Sequence, residues 1–532
     1  MNHIELFAGC GGLSLGLESL GFELVFANEL SPMASETFAY NFFGENLTEL
    51  AGREEPAQMT YWLNSQFERN NLTRRLRENP QEVPDDGTGH NDLLDEDANI
   101  QGSMVVGNII ELNGFLETQP ELLQRIQHAL DLEGDEVDLV SGGPPCQSFS
   151  MAGLRQHDNA RNQLPWEFAR FVRLVKPKVA LLENVSGILR AFDIDGKKHY
   201  AWFEVAKAFA TIGYVPICLH VNAKYTGTAQ NRPRYIMLAL REDVFQEFQA
   251  GDRNEVELSL LENSHVFYTA VQGEQENEME PVMFGDLEYH DIEKNPERFT
   301  NTFLAPLLQF KEGQWRSVTD AIDDLRGEGI AQSAYVQQVN HELLGNRILG
   351  GFELGNHEHR GNGELVQRRF RLYQVLEQVV PATKKNINAF LRRPDETILE
   401  DGTVAEMLRF DFLNEENYYI RFNDGLELDQ YLRTLLTKKQ TQRALVANRP
   451  APAALSIPDD ACHYHHDELR TLTVREMARI QSFPDWFEFR SKVTTGGQMR
   501  KFEVPQYTQV GNAVPPLLGR ALGQVVTNVL NA

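Results

Sequence analysis

The segment that most constrains the fold is an apolar stretch that enters a rigid turn and ends on a cysteine. From Asp138 to Arg155 it reads DLVSGGPPCQSFSMAGLR. The two prolines restrict the backbone, and the glycines let another group approach it closely. A thiol that directly follows a buried strand stands where an α/β fold would place a nucleophile. Because a lone cysteine beside a turn is more often a buried structural residue, the interpretation of Cys146 depends on the rest of the chain.

The N-terminus repeats the arrangement of a strand followed by a turn. Residues 4–16, IELFAGCGGLSLG, predict a short strand, a glycine-rich turn and the start of a helix. A second apolar strand, 23–27, ends close to Glu29, whose carboxylate can accept hydrogen bonds from ribose hydroxyls. The sequence has neither a pyrophosphate-type G-x-G-x-x-G nor a Gly-Lys-Ser/Thr phosphate loop. A cofactor with an adenosine part and no phosphate therefore fits better than NAD or ATP.

Four further segments bring polar side chains to strand ends or to a helix. They are 179–188, which ends a buried strand on Glu183 and Asn184; 222–240, which has Gln230, Arg232 and Arg234 before a strand; 470–484, an N-capped amphipathic helix stopped by proline; and 506–516, a polar turn before the last helix. The six segments, in this order, resemble those of prokaryotic-type DNA (cytosine-5) methyltransferases. The resemblance covers 1–241, with one interruption, and 467–532.

The resemblance implies a role for each matched residue. Cys146 matches the nucleophile, Glu183 the acid of the Glu-Asn-Val motif and Arg234 the second arginine of the Gln-x-Arg-x-Arg motif. The implied sites are: catalytic, Cys146, Glu183, Asn184, Arg232 and Arg234; S-adenosylmethionine, Phe7, Ala8, Gly9, Gly11, Gly12, Leu13, Glu29, Leu30, Asn108, Ile109, Pro145, Asn512 and Ala513; DNA, Gln147, Ser150, Arg155 and Gln230.

Two positions depart from the family pattern. Asn108 stands where the family has aspartate in a Gly-Asp-Ile motif, and Ala229 stands where proline is common. An amide oxygen can accept a hydrogen bond from the adenine amino group, but without charge assistance. We therefore expect cofactor binding, but weaker, and little consequence from Ala229.

The chemistry explains why such residues are needed. Cytosine carbon 5 becomes nucleophilic when a thiolate adds at carbon 6 and breaks the aromaticity of the ring. A free cysteine, with a pKa of about 8.5, is only a few per cent thiolate at neutral pH, so the site must activate Cys146. A protonated Glu183 can donate to ring nitrogen 3 and disperse the negative charge. Arg234 would hold the exocyclic oxygen and a phosphate, and Arg232 would orient Glu183. The base that removes the carbon 5 proton is not identified.

The target nucleotide must leave the duplex, because carbon 6 is reached from above the base plane. Extrusion costs about a few kcal/mol of stacking and pairing, which phosphate contacts and a close-fitting pocket offset. The loop from Cys146 to Asn162 is polar and rich in small residues, and we predict that it closes over bound DNA. A solvated surface loop is the alternative.

The net charge of −27 argues against a nucleic-acid partner if it is spread evenly. The charges are segregated, however: acidic residues concentrate in 82–97 and 274–297, and basic residues in 69–77, 368–371, 384–393 and 438–449. This distribution allows a positive cleft on an acidic body, with DNA binding that falls steeply with salt. Solvated helix faces are the alternative for each basic cluster.

Length and composition indicate a two-domain intracellular enzyme. The 532 residues exceed a single core, and 42% are hydrophobic. The four cysteines lack the spacing of a disulfide framework, which is typical of a reducing compartment. No apolar run is long enough to span a membrane, and the predicted cofactor strand begins too early for a signal peptide. We expect a cytoplasmic location with the DNA, in a bacterial or archaeal cell.

The predicted fold is α/β, a doubly wound (Rossmann-like) S-adenosylmethionine methyltransferase domain with a smaller, mixed target recognition domain. The predicted catalytic domain spans 1–241, with an insertion at about 44–102, and the recognition domain spans 242–466. Residues 467–532 return to complete the catalytic domain. Within the insertion, 58–79 favours a helix and a loop follows; a tolerated surface insertion is favoured slightly over a contact with DNA or protein.

Two segments of the recognition domain have specific interpretations. Residues 350–362 form a candidate base-reading loop. Cys462-His-Tyr-His-His466 lacks the second ligand pair of a tetrahedral zinc site, so we predict no metal and a polar hinge instead.

The predicted activity is methyl transfer from S-adenosylmethionine to carbon 5 of a cytosine in double-stranded DNA at a short specific sequence. A host-defence role beside a separate nuclease, with other defence-system proteins as partners, is implied by the resemblance alone. Two alternatives stay open. The first is an RNA methyltransferase of the same fold, which a comparison of tRNA with DNA as substrates would distinguish. The second is a DNA-binding or scaffold subunit with an inactive site, which Asn108 favours and which a cofactor titration would test. The target sequence and oligomeric state are not predicted.

Overall fold

The computed structural model describes residues 1–82, 84, 88–132, 136–145, 163–194, 197–275, 282–327, 329–347, 352–437, 442–453 and 455–532. The strands in these ranges are β1 (Asn2–Leu6), β2 (Glu23–Glu29), β3 (Thr60–Trp62), β4 (Ser103–Val106), β5 (Leu139–Gly142), β6 (Val179–Val185), β7 (Phe192–Ile194), β8 (Lys197–His199), β9 (Tyr214–Asn222), β10 (Gln230–Asn231), β11 (Pro233–Arg241), β12 (Tyr289–Asp291), β13 (Phe412–Leu413), β14 (Tyr419–Ile420), β15 (Arg443–Ala444), β16 (Ala451–Pro452) and β17 (Ala461–Cys462).

The helices of the same ranges surround the strands. They are α1 (Gly12–Glu18), α2 (Pro32–Phe43), α3 (Leu47–Gly52), α4 (Leu72–Arg75), α5 (Ile109–Thr118), α6 (Pro120–Gln127), α7 (Leu164–Val175), α8 (Ala201–Thr211), α9 (Glu242–Ala250), α10 (Glu255–Gln275), α11 (Val318–Ile322), α12 (Ala334–Glu342), α13 (Glu364–Leu376), α14 (Pro381–Arg392), α15 (Asp401–Met407), α16 (Gly425–Thr434), α17 (Val474–Ile480), α18 (Gln506–Asn512) and α19 (Pro516–Leu530). None of them has the length and apolarity that crossing a bilayer requires.

A central sheet organises the fold, with the strand order β12-β9-β11-β6-β5-β1-β2-β4-β3. Strand β11 runs antiparallel to its neighbours β6 and β9, and the other pairs are parallel. The parallel strands read as nearly continuous apolar runs because helices cover both faces of the sheet. The chain reverses its direction of winding between β1 and β5, and ligands of doubly wound sheets bind at such a switch point. The predicted fold class is confirmed.

The predicted insertion adds an edge strand to this sheet. The helix predicted over 58–79 is wrong, because the chain forms β3, paired with β4, and then only the short α4. Tertiary contacts override the local helix preference: the backbone N–H of Trp62 donates to Asp92, and the buried Arg75 guanidinium lies 2.6 Å from the same carboxylate. The insertion is therefore partly integrated into the sheet.

The sheet also continues beyond residue 241, the predicted end of the first catalytic segment. Strand β12 pairs with β9 at the other edge, and α10 packs against α8 and β9. Phe245, Leu260 and Phe303 belong to the same buried cluster as the sheet strands. The core of the sheet domain therefore includes the chain as far as Leu307, and the boundary predicted at 242 lies too early.

A smaller helical unit and the returning C-terminus complete the molecule. Helices α13 to α16 enclose their own core, in which Phe370, Leu428 and Leu432 are fully buried. The last helix, α19, then packs against α1. A Cβ on Gly16 would lie 2.4 Å from the backbone nitrogen of Arg520, so this position must be glycine for the two helices to come so close. The C-terminal segment thereby lies against the glycine-rich turn.

Candidate active site

A cavity of about 470 Å³ opens at the carboxyl ends of β1, β2, β4, β5 and β6. It is lined by nearly all the predicted site residues that the structure describes: Phe7, Ala8, Gly9, Gly12, Leu13, Glu29, Leu30, Asn108, Ile109, Pro145, Asn512, Ala513, Glu183, Asn184, Arg232 and Arg234. Segments from both ends of the chain therefore meet around one space.

Gly11 is the predicted cofactor residue that lies behind the turn instead of in the cavity wall. Its φ of +91° is in the left-handed region, and a Cβ there would lie 2.4 Å from the ring of Phe42. Glycine at this position therefore shapes the turn and lets α2 pack behind it. Gly9, which also has a positive φ, faces open space, and its N–H donates to Glu29.

Gly12 joins the glycine-rich turn to the C-terminal segment. A Cβ on this residue would lie 2.2 Å from the backbone oxygen of Val514, which a side-chain movement cannot relieve. We expect Gly12→Ala to lower the free energy of unfolding by about 1–3 kcal/mol through overpacking and to weaken cofactor binding. Thermal unfolding and a cofactor titration measure the two effects. Gly114→Ala, in α5 with open space around it, is the control, and equal melting temperatures for both variants would contradict the prediction.

Glu29 presents a carboxylate at the end of β2. Its two oxygens accept hydrogen bonds from the backbone N–H groups of Ser31 (2.8 Å) and Gly9 (2.9 Å). Burial raises the pKa of this carboxyl, and the two N–H donors oppose the rise. A carboxylate held in this way can accept further hydrogen bonds, so the position suits the two hydroxyls of a ribose.

Asn108 directly precedes α5 and caps its N-terminus. Its Oδ1 accepts a hydrogen bond of 3.0 Å from the backbone N–H of Ile110. A carbonyl oxygen has a second lone pair, so Oδ1 can cap the helix and still accept from an amino group in the cavity. The departure from aspartate is therefore compatible with adenosine in this cavity.

Several cavity residues were missed from the sequence: Glu5, Cys10, Asn28, Ala34, Gly107, Gly143, Pro144, Leu164, Val185, Val504, Gln509, Gly511 and Val514. Those adjacent to matched motifs could have been found by extending each motif by one or two residues. Ala34 and Leu164 lie outside the matched segments and carry no such signal, whereas Gln509 lies inside the matched segment 506–516 and Val504 two residues before it.

Glu5 is a buried acid in the wall of the cavity. It accepts hydrogen bonds from the backbone N–H of Ser14, at 2.9 Å, and from the Ser14 hydroxyl. Burial raises the pKa of Glu5 to about 8, and the bonds from Ser14 oppose this rise. There is therefore a pH range in which the Glu5 carboxyl is neutral in the folded protein but ionised in the unfolded chain.

Glu5→Gln should remove the contribution of Glu5 to the pH dependence of protein stability. Between the ordinary value of 4.5 and about 8, the folded state binds more protons at Glu5 than the unfolded state, so stability falls as pH rises. Glutamine does not titrate, so the melting temperature of the variant relative to wild type should increase between pH 5 and 8 and level off above about pH 8. Thermal unfolding of the cofactor-free proteins across this range measures the difference, and parallel curves would refute the prediction.

The corner of the cavity that holds the predicted catalytic residues Glu183, Asn184 and Arg234 (the catalytic corner) is built from the end of β6. Glu183 Oε1 lies 2.5 Å from Arg234 Nε, in an ion pair whose N–H is not aligned as a hydrogen bond. A Cβ on Gly143 would lie 2.9 Å from Glu183 Oε2, so glycine there allows the carboxylate to touch the turn. The Asn184 amide donates to the Pro144 carbonyl at 2.9 Å. The acid and the turn that precedes Cys146 are thereby held together.

Arg232 hydrogen-bonds to the protein backbone. Its guanidinium donates to the backbone carbonyls of Ala453, Gly511 and Ala513 at 3.3, 2.8 and 3.0 Å. Burial, followed by the neighbouring Arg234, lowers the pKa of Arg232 well below its ordinary value. The expectation that Arg232 orients Glu183 stays a prediction: Glu183 acts on Arg232 electrostatically, Arg234 pairs with Glu183 directly, and Arg232 fastens the C-terminal segment to the cavity.

Four predicted residues, Cys146, Gln147, Ser150 and Arg155, lie outside the described residues, as does the rest of the predicted closing loop as far as Asn162. Pro145, the last described residue before them, lines the cavity. The predicted DNA contact Gln230 is completely buried, and its amide donates to the Pro452 carbonyl at 3.2 Å. In this conformation Gln230 reaches no surface on which DNA could lie.

Several residues of 242–466, the predicted recognition domain, make contacts within the protein instead of facing solvent. In the candidate base-reading loop Asn356 is buried and its amide donates to the Phe489 carbonyl, whereas 358–360 is exposed. In the basic cluster 368–371, Arg369 and Arg371 donate to backbone carbonyls. The guanidinium groups of these two arginines are therefore bound to the protein's own backbone, and this part of the predicted positive surface is reduced.

The segment predicted to be a polar hinge without metal divides into two parts. Cys462 and His463 are fully buried. His465 and His466, with Asp467, place possible ligand atoms within 4.8 Å of one another at the surface. The absence of a metal here stays a prediction.

Comparison with known proteins gives consistent findings. The family model described as C-5 cytosine-specific DNA methylase matches residues 1–57 and 121–528. The type II methyltransferase M.DdeI of Desulfomicrobium norvegicum is 23% identical over 532 residues, which cover 99% of this chain and 88% of that protein. M1.HphI of Haemophilus parahaemolyticus is 24% identical, with 99% and 86% covered. M.Bpa9945I of Bacillus paralicheniformis is 25% identical, with 99% of each covered. The range that the family model leaves unmatched, 58–120, contains β3, Asn108 and most of the predicted insertion.

Proposed function

The chain belongs to the C-5 cytosine-specific DNA methylases, and on this premise we propose that it transfers a methyl group from S-adenosylmethionine to carbon 5 of a cytosine that has been swung out of duplex DNA. It is a DNA (cytosine-5-)-methyltransferase, and DNA is its substrate. The proposal adds the cofactor, the covalent attack by Cys146, base flipping and recognition of a short sequence. The observation that carries it is the Glu183–Arg234 pair held against Gly143, in the cavity that also holds the glycine-rich turn.

The described residues fit the cofactor. Glu29 would bind the ribose hydroxyls and Asn108 the adenine amino group, while Gly9, which has open space where a Cβ would lie, leaves the backbone accessible to the ligand. S-adenosylmethionine supplies a methyl group on a positively charged sulfur. The cavity runs from Glu29 to Glu183 and Arg234, so the cofactor and the flipped cytosine would share one continuous space.

The residues of the chain would divide the remaining work. Glu183, when protonated, donates to ring nitrogen 3 as Cys146 Sγ bonds to carbon 6, and this places electron density on carbon 5. Arg234, beside Glu183, holds the exocyclic oxygen. Asn184 fixes the turn that leads to Cys146. After methylation the carbon 5 proton passes to a base such as water, and the carbon 6–sulfur bond breaks with Cys146 leaving as a thiolate. The proton on ring nitrogen 3 returns to Glu183.

Extrusion of the cytosine would be favoured by phosphate contacts, so binding should weaken with salt in spite of the net charge of −27. The relatives named type II methyltransferases motivate a role in restriction-modification, with a separate nuclease as partner.

The test is incubation with S-adenosylmethionine labelled in its methyl group and mixed-sequence duplex DNA, with tRNA as a parallel substrate. Label in cytosine carbon 5 of the duplex, and bisulfite sequencing that shows one short recurring sequence, are the expected results. Label in tRNA alone would favour the RNA methyltransferase alternative. Cofactor binding without transfer to any substrate would favour a dead-site subunit, and either result would overturn the proposal.

A further inference from the structure

A serine, a histidine and an aspartate form a hydrogen-bonded chain beside the candidate active site. Ser186 Oγ lies 2.9 Å from His220 Nε2, and His220 Nδ1 lies 3.0 Å from Asp291 Oδ2. Ser186 directly follows β6, His220 lies near the end of β9, and Asp291 ends β12. These three strands run in the same direction. The three hydrogen-bonded side chains therefore lie along the carboxyl edge of the sheet, which is also the edge at which the cavity lies.

Asp291 is a fixed anchor for the imidazole of His220. Its Oδ1 accepts a hydrogen bond of 2.9 Å from the backbone N–H of Glu293, and its side chain is only 9% exposed. The ring of Tyr289 makes an edge contact with His220. The Lys294 ammonium lies 3.7 Å from Asp291 but is 71% exposed, so it contributes little to fixing the position of the Asp291 carboxylate.

Ser186 stands next to the residues that build the catalytic corner. Val185 lines the cavity, Asn184 holds the Pro144 carbonyl, and the Glu183 carboxylate touches Gly143. A displacement at Ser186 would move the end of β6, and the turn before Cys146 would move with it. Small errors in placing a reacting group are costly, since about 1 Å can lower a rate 10²-fold.

We propose that Asp291, His220 and Ser186 form a positioning relay that fixes the end of β6, and with it Glu183, in the geometry that methyl transfer requires. A neutral imidazole donates from Nδ1 to Asp291 and accepts at Nε2 from the Ser186 hydroxyl, whereas a charged imidazole donates from both nitrogens. Both bonds persist in either protonation state. The kinetic consequence rests on the proposed function, but the ordering of the β6 end does not.

Paired substitutions test the relay. Ser186→Ala removes the hydroxyl and Ser186→Thr keeps it. His220→Asn keeps an amide near the position of Nδ1 and loses the contact with Ser186, whereas His220→Gln keeps an amide near Nε2. Lys294→Gln, beside the same carboxylate but outside the hydrogen-bonded chain, is the control. The measurements are hydrogen exchange of the backbone amides of 183–189, the single-turnover methylation rate, and the affinities for S-adenosylmethionine and duplex DNA.

We expect Ser186→Ala and His220→Asn to speed exchange at 183–189 and to lower the single-turnover rate about 10- to 100-fold, with both affinities little changed. Ser186→Thr should lie close to wild type, and Lys294→Gln should match it. His220→Gln should lie between wild type and His220→Asn, because it keeps the contact with Ser186 but loses the bond to Asp291. Unchanged exchange in both disruptive variants would overturn the relay, as would a rate loss that follows weaker binding. Labelling of Ser186 by a fluorophosphonate would overturn it too, by revealing a nucleophile. If the wild type methylates no substrate, the proposed function fails, while the exchange data still decide the relay.

Discussion

Cys146→Ser is expected to lower the single-turnover rate of methyl transfer by about 10⁴-fold or more. The hydroxyl of serine has almost the size of the thiol but is far less acidic and a weaker nucleophile, so carbon 6 is not attacked. The Asn184–Pro144 bond and the Glu183–Gly143 contact, which shape the turn before residue 146, involve no atom of the cysteine. Cofactor and DNA affinities should therefore persist. Rapid-quench kinetics with labelled cofactor measures the rate.

A matched substitution elsewhere shows whether loss of a thiol alone has this effect. Cys218→Ser changes a fully buried cysteine of β9, where Sγ lies 3.2 Å from the Tyr235 hydroxyl, and a serine hydroxyl can make the same hydrogen bond. This variant should keep the wild-type rate. Duplex DNA with 5-fluorocytosine should trap the wild type and Cys218→Ser covalently, but not Cys146→Ser. A Cys146→Ser protein that turns over at the wild-type rate would refute the covalent mechanism.

The part of the site that could be predicted from the sequence is the part in which local patterns place side chains at strand ends. Glu29 and Glu183 both follow apolar runs, and parallel strands bring their carboxyl ends to one edge. The glycine-rich turn was equally predictable, because its sequence leaves few alternatives to a turn between a strand and a helix.

Contacts between distant segments could not be predicted in this way. The partner of Arg232 is the backbone of the C-terminal segment, and backbone carbonyls leave no trace in a sequence pattern. The segment 58–79 forms β3 instead of the expected helix because pairing with β4 and the buried Arg75–Asp92 ion pair outweigh its local helix propensity. Strand β12 was missed because three residues give too short a pattern, and only the open edge of β9 makes them a strand.

Glu183→Gln is the second substitution with a large expected effect, and it should lower the methylation rate about 10²- to 10⁴-fold. Glutamine keeps the size of the side chain, so Gly143 still accommodates it. It cannot carry the negative charge that pairs with Arg234 or deliver the proton of a carboxylic acid to ring nitrogen 3. The rate of covalent trapping by 5-fluorocytosine DNA should fall in parallel, because the lost proton donor acts in the step in which Cys146 attacks.

The control for Glu183→Gln must separate chemistry from stability, because Arg234 is only 7% exposed and loses the carboxylate that balances its charge. An unpaired buried charge costs about 3–5 kcal/mol, so a lower melting temperature is expected as well. Glu183→Asp keeps the charge for Arg234 but draws the carboxyl back by one methylene, and it should recover stability more than rate. If Glu183→Asp restored both fully, charge alone would matter and the proton-donating role would be wrong. If Glu183→Gln melted lower but methylated at the wild-type rate, Glu183 would be a structural partner of Arg234 and the proposed activation of the ring would need another acid.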